Sequence, residues 1–245
     1  MLIPDILVKQ LSLIYQKKII FKDINLYFHA KKWVCLLGSS GIGKSSLLRI
    51  LAGLLQIDNG SIECSDQKSL QNRLSYMAQH DGLLPWLSVI NNVLLNDRLR
   101  ANKITLQRKQ QAMQLLDQVG LKNNQHSMPN QLSGGMRQRV SLARTLLDNQ
   151  PIILMDEPFS ALDTIMRLKL QTLAAKLLIK KTVIMVTHDP LEALRLADEI
   201  YIMHDQPVKF TKAIVPIGRR PRNINNDNLL KQQAKLLNLL EQKII

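Results

Sequence analysis

Short, continuous apolar runs alternate with helical patterns along both halves of the chain. The runs Trp33–Leu37, Ile152–Met155 and Thr182–Val186 contain almost no polar residue, which is typical of strands covered on both faces. Amphipathic stretches follow them, and Glu199–Met203 predicts a further strand. Because short strands alternate with helices, the pattern predicts an α/β fold with a mostly parallel sheet.

The predicted helices have recognisable faces and starts. Asp189 is a suitable N-cap for a helix that begins at Pro190. A helix is also predicted from about residue 165 to 179. The helix after the first apolar run has a broad face made of Leu47, Leu48, Ile50, Leu51 and Leu54.

The two ends and the middle of the chain differ from this pattern. Ile24, Leu26 and Phe28 alternate with Asn25 and Tyr27, and this alternation predicts a half-buried strand. A second strand is predicted over residues 6–15. Strand patterns disappear across about 87–147, where helices are predicted over 106–119 and 134–147. A terminal helix is predicted with one apolar face made of Leu229, Leu236, Leu237, Leu240 and Ile244. These shifts predict a main domain over 1–215 with a helical insertion, and a basic tail over 216–245.

Composition narrows the class of protein. Hydrophobic residues make up 46% and charged residues 21% of 245 residues, which is typical of a globular protein. No apolar run approaches the ~18 residues of a spanning helix, and no basic leader precedes an apolar stretch. Cys35 and Cys64 lack ligand spacing, so we expect buried free thiols and a cytosolic protein. The net charge of +14 indicates a polyanionic partner: nucleotide, nucleic acid or an anionic membrane face.

A phosphate-binding loop lies directly after the first apolar run. Residues 38–45 fit the pattern G-x-x-x-x-G-K-[ST], between a predicted strand and a predicted helix. Glycines allow backbone N–H groups to approach a phosphate at a helix start, where the helix dipole also favours negative charge. Lys44 offers a cation for the β- and γ-phosphates, and the Ser45 hydroxyl is a Mg²⁺ ligand.

Two carboxylates end the second apolar run. Asp156 follows the strand at its carboxyl end, which is where a Mg²⁺ ligand is expected beside a phosphate loop. Glu157 is one residue further on, where a carboxylate can polarise an attacking water. A solvated turn is the alternative for this pair, and the upstream phosphate loop disfavours it.

A third motif, Leu132-Ser133-Gly134-Gly135-Met136-Arg137-Gln138, lies between the first two. Ser133 can cap a helix whose two glycines leave the N–H groups accessible to an anion. The motif, in this order with the others, resembles the signature of the ATP-binding cassette (ABC) ATPases. The resemblance implies a P-loop NTPase core with a mostly parallel sheet, an N-terminal antiparallel β subdomain and an inserted all-helical subdomain.

The resemblance also implies roles for residues that spacing alone does not identify. Gln79 is similar to the Q-loop glutamine, Asp163 ends a segment similar to the D-loop, and His188 is similar to the switch histidine. Tyr15 is similar to the adenine-stacking aromatic, although a core or edge tyrosine is nearly as consistent with its surroundings. The expected catalytic residues are Glu157, His188 and Gln79, and the expected Mg²⁺ ligands are Ser45, Gln79 and Asp156. ATP contacts are expected from Tyr15, Gly38, Ser39, Ser40, Gly41, Ile42, Gly43, Lys44, Ser45, Ser46, Ser133, Gly134, Gly135 and Asp163.

Members of this family pair head to tail, so the resemblance implies a homodimer in which Ser133, Gly134 and Gly135 complete the partner's site. The segment 82–89 and Asn92-Val93 are similar to importers of the nitrate, sulfonate, taurine and thiamine-precursor group. That implies permease subunits, a periplasmic or surface substrate-binding protein, and a peripheral location on the cytoplasmic face of the membrane.

Some alternatives stay open from the sequence. Trp86 either docks the permease or packs within the helical subdomain. A lipid or lipoprotein exporter ATPase shares every catalytic motif, and a soluble cassette acting on nucleic acid is less consistent with one phosphate loop and no heptad run. We therefore expect no nucleic-acid partner.

Overall fold

The chain was analysed as a computed structural model, which describes residues 3–211 and 213–244, with side chains described for all of these but 243 and 244. The strands within it are β1 (Ile6–Tyr15), β2 (Lys18–Phe28), β3 (Trp33–Leu37), β4 (Asn59–Cys64), β5 (Leu74–Met77), β6 (Ile152–Asp156), β7 (Thr182–Thr187), β8 (Glu199–His204) and β9 (Lys209–Phe210). The α-helices are α1 (Lys44–Leu51), α2 (Val89–Val93), α3 (Leu95–Leu99), α4 (Leu106–Gln118), α5 (Gly134–Asp148), α6 (Thr164–Leu177), α7 (Pro190–Leu196) and α8 (Asp227–Ile244), and short 3₁₀ helices span Lys122–Asn124 and Pro129–Gln131.

The chain divides into two compact units. The first comprises Met1–Leu74, Pro151–Glu157 and Ile179–Ile245, and the second comprises Ser75–Gln150 and Pro158–Leu178. The chain enters the second unit twice, so neither unit is one continuous segment. The domain boundary predicted at residue 215 stays a prediction.

The first unit is built on a mostly parallel sheet. Its strands lie in the order β6-β7-β3-β8-β9, of which the first four are parallel and β9 is antiparallel to β8. Every residue of β3, β6 and β7 is buried, as their continuous apolar runs predict. The α/β prediction is confirmed.

A separate antiparallel sheet in the same unit has the order β2-β1-β4. β1 and β2 are joined by Gln16 and Lys17, which have φ values of 48° and 64°. Positive φ at both central residues is the requirement of a type I′ turn, the two-residue turn that matches strand twist. Buried Ile24, Leu26 and Phe28 alternate with exposed neighbours, as predicted.

Helices make up most of the second unit. α5 contributes much of its core, with Val140, Leu142 and Ala143 fully buried, and it packs against α2 and α4. Thr105 and Ser133 cap α4 and α5 by accepting hydrogen bonds from N–H groups of the first turn. The predicted helical segment is therefore helical in the structure.

The C-terminal segment is attached to α7. The buried guanidinium of Arg222 donates to the carbonyls of Leu194 and Ala197 at the end of α7, both at 2.8 Å, and to those of Pro216 and Ile217. These donors satisfy carbonyls that a helix end leaves without partners, and a cation is favourable there.

Two details of the helix predictions are wrong. Leu54 lies beyond the end of α1 with 66% of its surface exposed, because the helix ends at Leu51. In α8, Leu229 and Leu236 are buried but Leu237 is 42% exposed, since a position one residue on turns by about 100° around the helix axis. The side chain of Ile244 lies outside the described residues.

Both cysteines are free and buried, as predicted. Among the described helices, none is long and apolar enough to cross a membrane.

Candidate functional site

Three neighbouring strands of the parallel sheet end at one edge of the first unit. Leu37 at the end of β3 lies opposite Thr187 of β7, and Val186 lies opposite Asp156 at the end of β6. The residues that follow these ends are the phosphate loop, His188 and Glu157. Because parallel strands bring their carboxyl ends to the same edge, three segments far apart in sequence meet there.

The phosphate loop turns sharply into α1. Gly43 has a φ of 110°, and a Cβ on it would approach Ile20 Cγ2 to 2.8 Å, so both conformation and space require glycine. No side chain caps α1 within the described chain, and its first turn carries no acidic residue. The N–H groups of that turn are therefore suited to an anionic ligand.

Lys44 is held inside this loop. Its Nζ donates to the carbonyls of Gly38 and Ser39, both at 2.8 Å, and only 5% of the residue is exposed. Burial lowers the pKa of Lys44, while the nearby carboxylates of Glu157 and Asp156 act in the opposite direction. A phosphate entering the loop would offer this ammonium a charged acceptor in place of neutral carbonyls.

Ser45 and Asp156 form a pair suited to a divalent cation. Ser45 Oγ donates to Asp156 Oδ1 at 3.0 Å, while Asp156 Oδ2 is buried and has no hydrogen-bond partner among the described residues. Burial raises the pKa of Asp156 above its usual value, because the carboxylate loses its hydration. An unsatisfied buried carboxylate oxygen beside a hydroxyl is a hard-oxygen donor set that fits Mg²⁺.

No group of three His, Cys, Asp or Glu side chains converges as a metal cluster in the described residues. An ion at Ser45 and Asp156 would therefore need further ligands from phosphate and water, as Mg²⁺ commonly takes.

Glu157 and His188 are joined across the ends of β6 and β7. His188 Nδ1 lies 3.2 Å from Glu157 Oε1, and 56% of the histidine side chain is exposed against 13% of the glutamate. Glu157 has a φ of 48°, and its N–H donates to the Val186 carbonyl at 3.0 Å. A left-handed non-glycine residue costs about 1–3 kcal/mol, so the surrounding structure holds this carboxylate in an uncommon orientation.

The signature residues lie in the second unit, at the start of α5. Ser133 and Gly134 are exposed, and Ser133 Oγ accepts from Met136 N–H at 3.3 Å. Gly135 lies against the segment before α6: a Cβ on it would meet the Ala161 carbonyl at 2.9 Å. Asp163 caps α6 by accepting from Met166 N–H at 3.0 Å. This capping is a structural role for Asp163 beside the expected ATP contact.

Gln79 and Tyr15 complete the sequence-predicted set. Gln79 follows β5 in the second unit, and Tyr15 ends β1 in the first unit with 53% of its surface exposed. The predicted residues thus fall into two groups. The phosphate loop from Gly38 to Ser46, Asp156, Glu157, His188 and Tyr15 lie in the first unit, and Gln79, Ser133, Gly134, Gly135 and Asp163 lie in the second.

The sequence analysis assigned no role to Gln138. Its buried amide accepts from Ala161 N–H at 2.9 Å and donates to Ser160 Oγ at 3.3 Å, so it joins α5 to the segment similar to the D-loop. The available signal is periodicity, because Gln138 is four residues before the buried Leu142 on a helix.

The comparisons with known proteins all indicate one family. The family described as "ABC transporter" matches residues 21–160. The chain is 42% identical to an uncharacterised ABC transporter ATP-binding protein of Haemophilus influenzae, covering 94% of this chain and 96% of that protein. It is 39% identical to the aliphatic sulfonates import ATP-binding protein SsuB 1 of Rhodococcus jostii, covering 93% and 90%.

Comparison with solved structures indicates the same family. The dimeric post-hydrolysis structure of the ATP-binding cassette MJ0796, bound to ADP and Pi, superposes with a TM-score of 0.77 at 28% identity. The match covers 87% of this chain and all of that chain.

Proposed function

Because the chain belongs to the ABC transporter family, we propose that it hydrolyses ATP to power the uptake of a small molecule through a membrane permease. One observation carries the hydrolysis: the phosphate loop, Asp156 and the Glu157–His188 pair meet at adjacent strand ends. This combination offers separate groups for phosphate binding, metal binding and water activation.

Ser45 and Asp156 would hold Mg²⁺, with Gln79 as a further proposed ligand. When bound, the ion neutralises charge on the phosphate oxygens. Lys44 would exchange its carbonyl acceptors for the β- and γ-phosphate oxygens, which are stronger acceptors because they are charged. The exposed ring of Tyr15 is available to stack on adenine.

Glu157 is the proposed general base. It would accept a proton from the water that attacks the γ-phosphorus, as the bond from that phosphorus to the ADP oxygen breaks. His188 holds one carboxylate oxygen of Glu157 at 3.2 Å and would donate to the γ-phosphate. The same histidine would therefore link the position of the base to the presence of the nucleotide.

A head-to-tail homodimer would complete each site. Ser133 caps α5, and Gly134 and Gly135 are its first residues. All three are exposed or half-buried, which suits contact with a partner's γ-phosphate. The dimeric form of the similar cassette bound to ADP and Pi supports this arrangement. Closure would then require ATP, since the γ-phosphate would be the group that both subunits contact.

The importer assignment depends on Trp86 and on the named relatives. Trp86 is 69% exposed, so it is not a core residue, and an exposed tryptophan is a typical anchor for a protein partner. We propose that this partner is a permease, that a periplasmic or surface protein supplies the substrate, and that the subunit lies on the cytoplasmic membrane face. The relatives named for aliphatic sulfonate import favour a small sulfonate as the substrate class.

The deciding experiment replaces Glu157 with glutamine. Glu157→Gln keeps the size of the side chain but removes the base, so steady-state ATP hydrolysis should fall at least 100-fold, while ATP stays bound. Light scattering with ATP should then show a mass near twice 27.9 kDa. Glu241→Gln, at an exposed position of α8, is the matched control. Wild-type turnover in Glu157→Gln would refute the base, and a monomer with ATP bound would refute the shared site.

A further inference from the structure

The loop that carries Trp86 is irregular in conformation but is held by one buried side chain. Asn92 of α2 is fully buried. Its Oδ1 accepts from Leu84 N–H at 2.8 Å, and its Nδ2 lies within hydrogen-bond distance of the carbonyls of Leu84, Leu87 and Ser88, at 2.8–3.2 Å. The amide therefore contacts the backbone on both sides of Trp86.

A second set of contacts ties the beginning of this loop to α5. Arg137 Nε donates to Asp81 Oδ2 at 2.8 Å, and Arg144 donates to the carbonyls of Asp81 and Gly82 at 2.8 and 2.9 Å. Arg137 also donates through Nη1 to the carbonyl of Leu132, the residue before Ser133. One guanidinium thus joins the Trp86 loop to the start of the signature helix.

These contacts replace the regular hydrogen bonding that a loop lacks. A buried amide that loses its hydrogen-bond partners is costly, so the arrangement of the loop is well defined. The loop is fixed at its beginning to α5 and at its end to α2, which packs against α5, so it moves with these two helices. An exposed side chain on it is therefore presented to a partner without an ordering cost at binding.

We propose that Asn92 and the Asp81–Arg137 pair are positioning residues that hold Trp86 in a fixed orientation relative to the signature helix. This pre-organises the docking surface and makes a displacement at Ser133 reach Trp86 directly. The identity of the docked partner, a permease, rests on the proposed function above; the rigid positioning of Trp86 does not.

Trp86 can report on its own mobility. The chain has two tryptophans, and Trp33 is fully buried, so Trp33→Phe leaves Trp86 as the single emitter. In that background, Trp86 anisotropy should decay with overall tumbling. Asn92→Asp is isosteric but turns three amide contacts into contacts between oxygens, and it should add a fast component to the anisotropy decay of Trp86.

Asn91→Asp is the matched control, because within the described part of the chain the Asn91 amide contacts two side chains, at Ser88 Oγ and Arg98 Nη2, and not the backbone of the loop. Asp81→Asn keeps the acceptor for Leu83 N–H at Oδ1 but removes the charge that Arg137 contacts, and it serves if Asn92→Asp fails to fold. Wild-type anisotropy in folded Asn92→Asp or in Asp81→Asn would overturn the proposal.

Binding to the permease subunits in detergent distinguishes the fixed orientation of Trp86 from its proposed role in docking the permease. Asn92→Asp and Asp81→Asn should weaken association about tenfold, with Asn91→Asp unchanged and basal ATP hydrolysis unchanged in all three. Wild-type association in both variants would refute the claim that the fixed orientation of Trp86 strengthens permease binding. If Trp86→Ala also bound normally, the permease contact in the proposed function would be wrong, while the anisotropy result would still decide the positioning.

Discussion

The two signature glycines should respond differently to the same substitution. A Cβ at Gly135 would meet the Ala161 carbonyl oxygen at 2.9 Å, a backbone atom that cannot rotate away. A Cβ at Gly134 would meet only the end of the Arg137 side chain, at 3.9 Å. Gly135→Ala therefore pushes α5 away from the segment at Ala161, which the Gln138 amide also contacts, and Gly134→Ala does not.

The expected difference can be estimated from these contacts. Both glycines lie in the first turn of α5, so any gain in helix propensity, up to about 1 kcal/mol, is similar in the two variants and cancels. Overpacking against fixed backbone costs about 1–3 kcal/mol. Gly135→Ala should thus be less stable than Gly134→Ala by about 1–3 kcal/mol, or roughly 2–12 °C in Tm for a chain of this size.

Urea and thermal unfolding of the two variants without nucleotide test this difference, because neither measurement depends on ATP contacts. Gly135→Ala should have the lower midpoint in both, with an unchanged urea m value. Equal midpoints for the two variants would refute the close approach of α5 to Ala161.

Three further substitutions test the site. Lys44→Ala should weaken ATP binding at least tenfold, as measured by equilibrium dialysis, because it removes the cation of the phosphate loop. Wild-type affinity in this variant would contradict the role of Lys44 in phosphate binding. Asp156→Asn should abolish Mg²⁺-dependent hydrolysis yet raise stability without metal by about 1 kcal/mol at pH 7, because it removes a buried charge. Burial raises the folded-state pKa of Asp156, so the unfavourable contribution of this carboxylate to stability is absent below the ordinary pKa of 3.8, grows as pH rises from there to the folded-state pKa, and is complete above it. An equal gain in stability at pH 3 and pH 7 would contradict this. Trp86→Ala should leave stability within about 0.5 kcal/mol, as expected of an exposed residue, and a larger loss would indicate core packing.

Much of the architecture was predictable because it depends on local pattern. Continuous apolar runs gave strands at β3, β6 and β7, and Asp189 caps α7 as expected by accepting from the N–H groups of Leu191 and Glu192. The chemistry of the phosphate loop was equally local, since its glycines, lysine and serine are adjacent in sequence. Helix ends were less predictable, and Leu54 shows why: an apolar residue continues a pattern whether or not the backbone continues the helix.

The roles of long-range contacts could not be read from the chain. The fold decides which segments come together. The exposure of Trp86, the contact of Gln138 with Ala161 and the contact of Asn92 with the preceding loop all depend on that. A polar residue in an amphipathic helix looks the same in sequence whether it meets solvent or a backbone carbonyl. Sequence alone therefore determined the main strands and helices and the family, and it identified the candidate reactive groups. Tertiary structure decided the orientation of those groups, because hydrogen-bond partners are set by distance in space and not along the chain.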